Sequence, residues 1–299
     1  MLRGERFNKA DRVIRTGMWL NALLMVMKLA AGHYGHSEAV FADGVESACD
    51  FVSIGLTMVA LKVGRKPYDE DHPYGHGKVE SLAAILVSLI IGGTGAWILL
   101  RAAHTIVSGS YSAPALVAVL AAAVTIVVKE ALYRYSVRIG GALGSPALLA
   151  IAGDHRKDAI SSVATLIGVG CAYLGFGIMD PIAAGVTAFF IFHIGYQTFR
   201  SSAHELMDGQ PEQELLDAIV MLAEEIDGVD QVHEIRARHS GQFLIVDLKL
   251  DMDPEMTVKR SHGIATEVKK RIFERFGNVG DVMIHINPTD EPHEDLNRL

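Results

Sequence analysis

Residues 38–62 read Glu38-Ala-Val-Phe-Ala-Asp-Gly-Val-Glu-Ser-Ala-Cys-Asp-Phe-Val-Ser-Ile-Gly-Leu-Thr-Met-Val-Ala-Leu-Lys62. At about 1.5 Å of rise per residue, a helix of this length crosses the ~30 Å hydrocarbon core of a bilayer. The segment nevertheless carries Asp43, Glu46 and Asp50. An ionised side chain at mid-membrane costs at least about 2.5 to 3.5 kcal/mol, so acids in such a place point to a function. Glu46 and Asp50 are four residues apart and project from one helical face.

Working outward, apolar segments long enough to span recur at 13–32, 80–106, 113–134, 145–173 and 178–199, making six with the first. The N-terminal one follows Arg3, Arg6, Lys9, Arg12 and Arg15 and has the charge pattern of a signal peptide. Its length, Asn21, Lys28 and the five spans after it favour a retained helix. The composition agrees: 299 residues, 50% hydrophobic but only 7% aromatic, with mean hydropathy +0.26, which places much of the chain in a membrane.

Charge divides the chain. Residues 1–200 hold 17 Lys and Arg against 14 Asp and Glu, whereas residues 201–299 hold 10 against 21. The basic excess lies at the edges of apolar segments and the free-standing part is acidic, which argues against a nucleic-acid partner. The connections at 62–79 and 129–144 are basic like the N-terminus, while 33–38, 106–113 and 174–180 lack Lys and Arg. By the positive-inside rule both termini are expected in the cytoplasm of a multi-pass protein of the cell (inner) membrane.

Several chemistries lose their signatures. Cys49 and Cys171, both in apolar stretches, exclude a disulfide scaffold and a cysteine zinc cluster. There is no CxxC, GxxxxGK[ST] or GxGxxG, so ATP-driven pumping and dinucleotide chemistry are not indicated. The nearest approach to HExxH, His204-Glu-Leu-Met-Asp208, lacks the second histidine, which argues against a metallohydrolase. No enzyme activity is expected.

After Arg200 the pattern changes. Residues 211–226 repeat apolar positions at helical spacing, 231–239 and 243–250 alternate as strands around Ser240-Gly241, 257–276 is an amphipathic helix, and 281–287 alternates again. Such an αββαβ unit packs its helices on one face of a small sheet and leaves the other face for a partner. The expected division is a six-helix membrane domain at 1–204 and a cytoplasmic α+β dimerisation domain at 205–299, ending in a loose polar tail at 289–299.

The fifth span mirrors the second. Asp154 and Asp158 are again four apart, with His155 about 100° around the helix from Asp154. Facing each other, the two pairs offer four carboxylates to one dehydrated divalent cation. The bland reading pairs these acids with Lys28, Arg156 or Lys157, but the acids outnumber such cations. Asp43, one turn from Glu46, and His155 are candidates for the ion's pathway rather than for its site. Between spans 2 and 3, Tyr68-Asp-Glu-Asp-His-Pro-Tyr-Gly-His-Gly-Lys-Val-Glu80 brings Asp69, His72 and His76 into a short loop that Pro73, Gly75 and Gly77 allow to fold back, which suits a surface metal site.

Taken together, six spans, the segments Ala42-Asp-Gly-Val-Glu-Ser-Ala-Cys-Asp50 and Gly153-Asp-His-Arg-Lys-Asp-Ala-Ile-Ser-Ser162, the His72-Pro-Tyr-Gly-His-Gly-Lys-Val-Glu80 loop and the αββαβ tail resemble the cation diffusion facilitator family over essentially the whole chain. The stretches 109–113 and 130–135 are also similar to its magnetosome branch. The resemblance implies a homodimeric, proton-coupled antiporter that exports divalent transition metals, with a ferredoxin-like cytoplasmic domain. It places the transport ligands at Glu46, Asp50, Asp154 and Asp158, the loop ligands at Asp69, His72 and His76, and a charge interlock at Lys78 and Asp208. Regulatory metal positions in the tail fall on His233, Glu234, Asp247, His262, His285 and Asn287, with Asp247 and Asn287 departing from the usual His-rich set.

Zinc-transporting members place a histidine where this chain has Asp154. An all-oxygen shell suits harder cations, so Mn2+ or Fe2+ is expected ahead of Zn2+, as substrate and as possible regulator. The alternative is a non-transporting membrane sensor or scaffold that recruits partners through its tail.

Overall fold

The computed structural model describes residues 3–290, so the tail expected at 289–299 lies, from residue 291 on, outside the described residues. Six long helices come first: α1 (Arg3–Tyr34), α2 (Glu38–Gly64), α3 (Val79–Ser108), α4 (Leu116–Leu143), α5 (Pro146–Tyr173) and α6 (Met179–Leu206). There follow α7 (Gln213–Glu224), β1 (Gln231–Ser240), β2 (Phe243–Met252), α8 (Val258–Arg275) and β3 (Val279–Pro288). The expected fold class is the one observed. The chain forms two compact units, Met1–Gly55 with Val87–Gln197, and Leu56–Leu86 with Thr198–Leu299.

In the first unit small residues face inward and large apolar ones outward. Ala39, Ala42, Ala102, Ala184 and Ala188 form one buried cluster with Ile98, and Ala118, Ala121 and Ala122 another with Val40 and Val169. Leu23, Leu100, Val127 and Ile160 are exposed. That inversion suits helices that meet one another closely and present their bulk to hydrocarbon. At the α3–α6 contact a Cβ on Gly195 would stand 2.6 Å from the Gly92 nitrogen, so only glycine permits this approach.

Helix ends are set locally. Ser37 caps α2, its Oγ accepting from Val40 N at 3.1 Å and donating to Asp180 Oδ1 at 2.6 Å, while Asp180 Oδ2 accepts from Glu38 N at 2.6 Å. Asp180 thereby ties α6 to α2. Between α4 and α5 the chain turns through Gly144 at φ 59°, and Ser145 caps α5 with Pro146 in its first turn.

Five of the six helices, all but α5, are long and apolar enough to span a membrane on composition alone. In α5 the run Asp154-His-Arg-Lys-Asp158 puts four charges, besides the histidine, in just over one turn, which removes it from that class. The reading of 129–144 as a basic connection is corrected: α4 continues to Leu143, so Lys129, Arg134 and Arg138 are helical and the connection is Gly144-Ser145. Charge marks where hydropathy falls, but a helix continues until its backbone is capped.

In the second unit the sheet order is β1-β2-β3, antiparallel between β1 and β2 and parallel between β2 and β3. Leu244, Val246, Leu248, Leu250 and Met252 point to one face and are almost fully buried, against Leu216, Ile219 and Ala223 of α7 and Val268 and Ile272 of α8. Phe243 and Asp247 stand on the opposite face and are exposed. Helices therefore cover one face only, as the alternation predicts.

Candidate metal sites

The acids of α2 and α5 are arranged around two buried lysines. Glu46 and Asp158 are half-buried, while Asp50 and Asp154 are exposed. Asp158 of α5 is an electrostatic neighbour of both Glu46 and Asp50 of α2. The four do not close into a preformed cage: among the described residues, the sole group of three or more metal-ligating side chains whose ligand atoms lie within 4.8 Å of one another is Asp69, His72 and His76.

The pairings differ from those weighed on sequence. Lys28 Nζ binds Asp43 Oδ1 at 2.9 Å, the Asp43 carbonyl at 2.9 Å and Ser47 Oγ at 2.7 Å, and among the described residues Glu46 has no direct ion pair. Arg156 pairs with Glu130. Asp158 Oδ2 accepts from Lys129 Nζ at 2.6 Å, a lysine only 5% exposed. Sequence reasoning missed Lys129 because it counted that residue as loop charge. A signal was available, since Lys129 already lies inside the apolar segment read at 113–134.

Asp43 is buried and neutralised, with Ser162 Oγ donating to its Oδ2 at 3.3 Å. His155 is buried beside Gly17 of α1, and its Nε2 has no hydrogen-bond partner among the described residues. Asp43 is an electrostatic neighbour of Glu46, and His155 of Asp158 and Asp154.

The loop between α2 and α3 is organised by Asp69. Its Oδ1 accepts from the His72 backbone N–H at 2.7 Å and lies 3.2 Å from His72 Nδ1; its Oδ2 lies 3.4 Å from His76 Nε2. The His72 and His76 rings stand 4.5 Å apart. His76 Nδ1 is 3.2 Å from the Pro67 carbonyl, which can only accept; in the neutral imidazole this puts the proton on Nδ1 and leaves Nε2 a lone pair toward Asp69. Two acceptors facing each other suit a cation between them. The His72 N–H holds the exposed Asp69 carboxyl below the usual carboxylate range. Two imidazoles and a carboxylate form a zinc-like donor set, unlike the all-oxygen set of α2 and α5.

Sequence comparison meets this geometry at both ends of the chain. Residues 14–207 match the cation efflux transmembrane domain, and residues 211–289 match the cation efflux protein cytoplasmic domain. The chain belongs to the cation diffusion facilitator family. Among relatives of this family, the manganese efflux system protein MneP of Bacillus subtilis is 36% identical over 95% of this chain and 98% of its own length. The magnetosome protein MamB of Magnetospirillum gryphiswaldense is 34% identical, over 93% and 94% respectively. The manganese efflux system protein MneS of Bacillus subtilis is 32% identical, over 97% and 100%. This cation diffusion facilitator is thus a multi-pass membrane protein of a cation efflux family, not a member of an enzyme family.

The remaining expected residues lie in its second unit. Lys78 Nζ donates to Asp208 Oδ1 at 2.7 Å, and Arg238 Nη1 stands 3.5 Å from Asp208 Oδ2. On the open face of the sheet, Glu234 and His285 flank Lys249, and Asp247 lies between Arg236 and Met283. Glu234 is ion-paired to Lys249 at 2.6 Å and to Arg236 at 2.6 Å, which holds its carboxyl below the usual range, the Lys249 hydrogen bond first. His233 sits where the β1–β2 register shifts, 3.7 Å from the buried Asp251, which also accepts from Gln231 at 2.6 Å and Asn287 at 3.2 Å. His262 is on α8, in the layer across the sheet, so within one chain it does not join Glu234, Asp247 and His285. Asp251 is the buried acid that sequence reasoning passed over.

Proposed function

We propose that this protein is a proton-coupled antiporter that exports a divalent transition metal from the cytoplasm, with Mn2+ or Fe2+ preferred over Zn2+. The observation that carries this reading is the proximity of Asp158 on α5 to Glu46 and Asp50 on α2, with an aspartate at 154 and no histidine among the four ligands. An oxygen-only shell favours harder ions. Two relatives similar along their full length are named manganese efflux system proteins, in keeping with the manganese arm of the preference.

Crowded carboxylates in poor solvation are not all ionised at once, so they hold protons when they do not hold metal. Metal arriving from the cytoplasm displaces those protons; protons entering from the other side displace the metal. Rocking of the helix bundle about the central site supplies alternating access. On this reading both termini lie in the cytoplasm, on the side of the basic N-terminus and the basic 62–79 connection. Residues 1–204 act as the transport domain and 205–299 as a dimerising regulatory domain in a homodimer embedded in lipid. The loop site at Asp69, His72 and His76 binds a separate metal ion. The tail residues His233, Glu234, Asp247, His262 and His285 are left as regulatory candidates that a second protomer would have to complete.

The test is flux. Proteoliposomes carrying the native protein and an imposed proton gradient accumulate Mn2+ or Fe2+; Asp50→Ala and Asp158→Ala proteins lose that activity. Native-rate uptake by either variant removes the four-acid site, and no flux by the native protein for any of Mn2+, Fe2+, Zn2+ and Cd2+ favours the sensor or scaffold instead.

A further inference from the structure

The two buried lysines of the first unit are held in different ways. Lys28, 2% exposed, has three oxygen acceptors within 2.9 Å, one for each ammonium proton. Its partner Asp43 is buried as well, and its second oxygen is taken by Ser162. This pair is closed. Lys129 is nearly as buried at 5%, yet Asp158 is its only hydrogen-bond partner among the described residues. The Asp158 side chain is 39% exposed and faces the acids of α2. This pair is partly exposed and lies near the acids of α2.

The Lys129 ammonium therefore already holds one of the two carboxylate oxygens, Oδ2, through which Asp158 would bind a metal, and it does so with a single bond. We propose that Lys129 is a tethered counter-cation of the transport site: it holds Asp158 when no metal is bound, and a divalent ion binds by displacing it. The inference rests on the assignment of Asp158 to that site. It gives the site two properties that carboxylates alone do not supply. Displacement weakens metal binding, and the ammonium's return hastens release. A monovalent ion exchanged for Lys129 replaces one positive charge with another and gains little, whereas a divalent ion gains a full charge, so Lys129 selects for valence.

The experiment uses the full chain in detergent, with His76→Ala in every protein so that the loop site does not contribute, and titrates Mn2+ calorimetrically. Lys129→Met is expected to bind Mn2+ about tenfold tighter or more, as a competing charge is removed from the site. Lys129→Arg, which keeps the charge and forks the carboxylate, is expected to bind no tighter than Lys129. At constant ionic strength, replacing choline by Na+ leaves the affinity of the Lys129 protein unchanged and weakens that of Lys129→Met.

A lysine that only orients Asp158 predicts the reverse for Lys129→Met, a weaker site. Unchanged or weaker Mn2+ binding by a Lys129→Met protein that elutes as the native one does on size exclusion overturns the proposal. Should that variant not fold, Lys129→Gln, uncharged and still able to donate to Asp158, carries the same expectation. Asp50→Ala and Asp158→Ala separate the two readings. If both bind Mn2+ as the unsubstituted site does, the transport-site assignment fails; if both lose it while Lys129→Met is unaltered, only the lysine inference fails.

Discussion

Lys78 Nζ donates to Asp208 Oδ1 at 2.7 Å, joining residues 130 positions apart at the start of α3 and the end of α6. Asp208 takes a left-handed backbone, φ 59°, just after α6, which turns its carboxylate toward Lys78 and toward Arg238 of β1. The Lys78 hydrogen bond, with Arg238 adding to it, holds the Asp208 carboxyl below the usual range.

A double-mutant cycle with Lys78→Met and Asp208→Asn is expected to return a coupling of about 0.2 to 1 kcal/mol at neutral pH, since both side chains are partly exposed. Asparagine tolerates the left-handed conformation, so the cycle isolates the charge. A lowered carboxyl contributes stability that is complete above the unfolded aspartate value of about 3.9 and is lost as pH falls through the lower folded value. The coupling measured by thermal unfolding should accordingly vanish in strong acid. Coupling that persists there assigns the contact to packing.

Lys28→Met leaves Asp43 buried without its cation. Breaking such a pair from one side costs about 3 to 5 kcal/mol, whereas Lys28→Met with Asp43→Asn removes both charges and should recover much of it. Unfolding temperatures of the single and double variants in detergent decide the matter; equal losses in both contradict the account.

At position 154 the donor atom sets the metal. Asp154→His replaces a hard oxygen with imidazole and should raise the Zn2+ to Mn2+ transport ratio roughly tenfold. An unaltered metal profile in vesicle flux would refute Asp154 as a ligand.

Gly195 and Gly92 let α6 and α3 touch. Gly195→Ala forces these helices apart and should destabilise by about 1 to 3 kcal/mol, as overpacking does. Gly93→Ala, where an added Cβ meets nothing within 4 Å, is the matched control and should be nearly neutral.

In the loop, His72→Ala and His76→Ala should each remove one tightly bound metal ion per chain, counted by elemental analysis after dialysis. Retention of that ion by both variants would discard the Asp69, His72, His76 site.

Much of the molecule was legible without coordinates. The six apolar segments, their acidic interruptions and the change to αββαβ periodicity after Arg200 are local patterns, and side-chain period and hydropathy are properties of neighbouring residues. The alternation in β2 alone determined which face α7 and α8 would cover. The same locality explains the error at 129–144: charge marks where hydropathy falls, not where hydrogen bonding of the helix stops. What only the tertiary structure decided is partnership. Lys28 could as well have met Glu46, and Lys129 fell by sequence in the overlap of an apolar segment and a basic connection. Their choice of Asp43 and Asp158 depends on how α1, α2, α4 and α5 pack, because a buried charge must find its counter-charge across helices far apart in the chain.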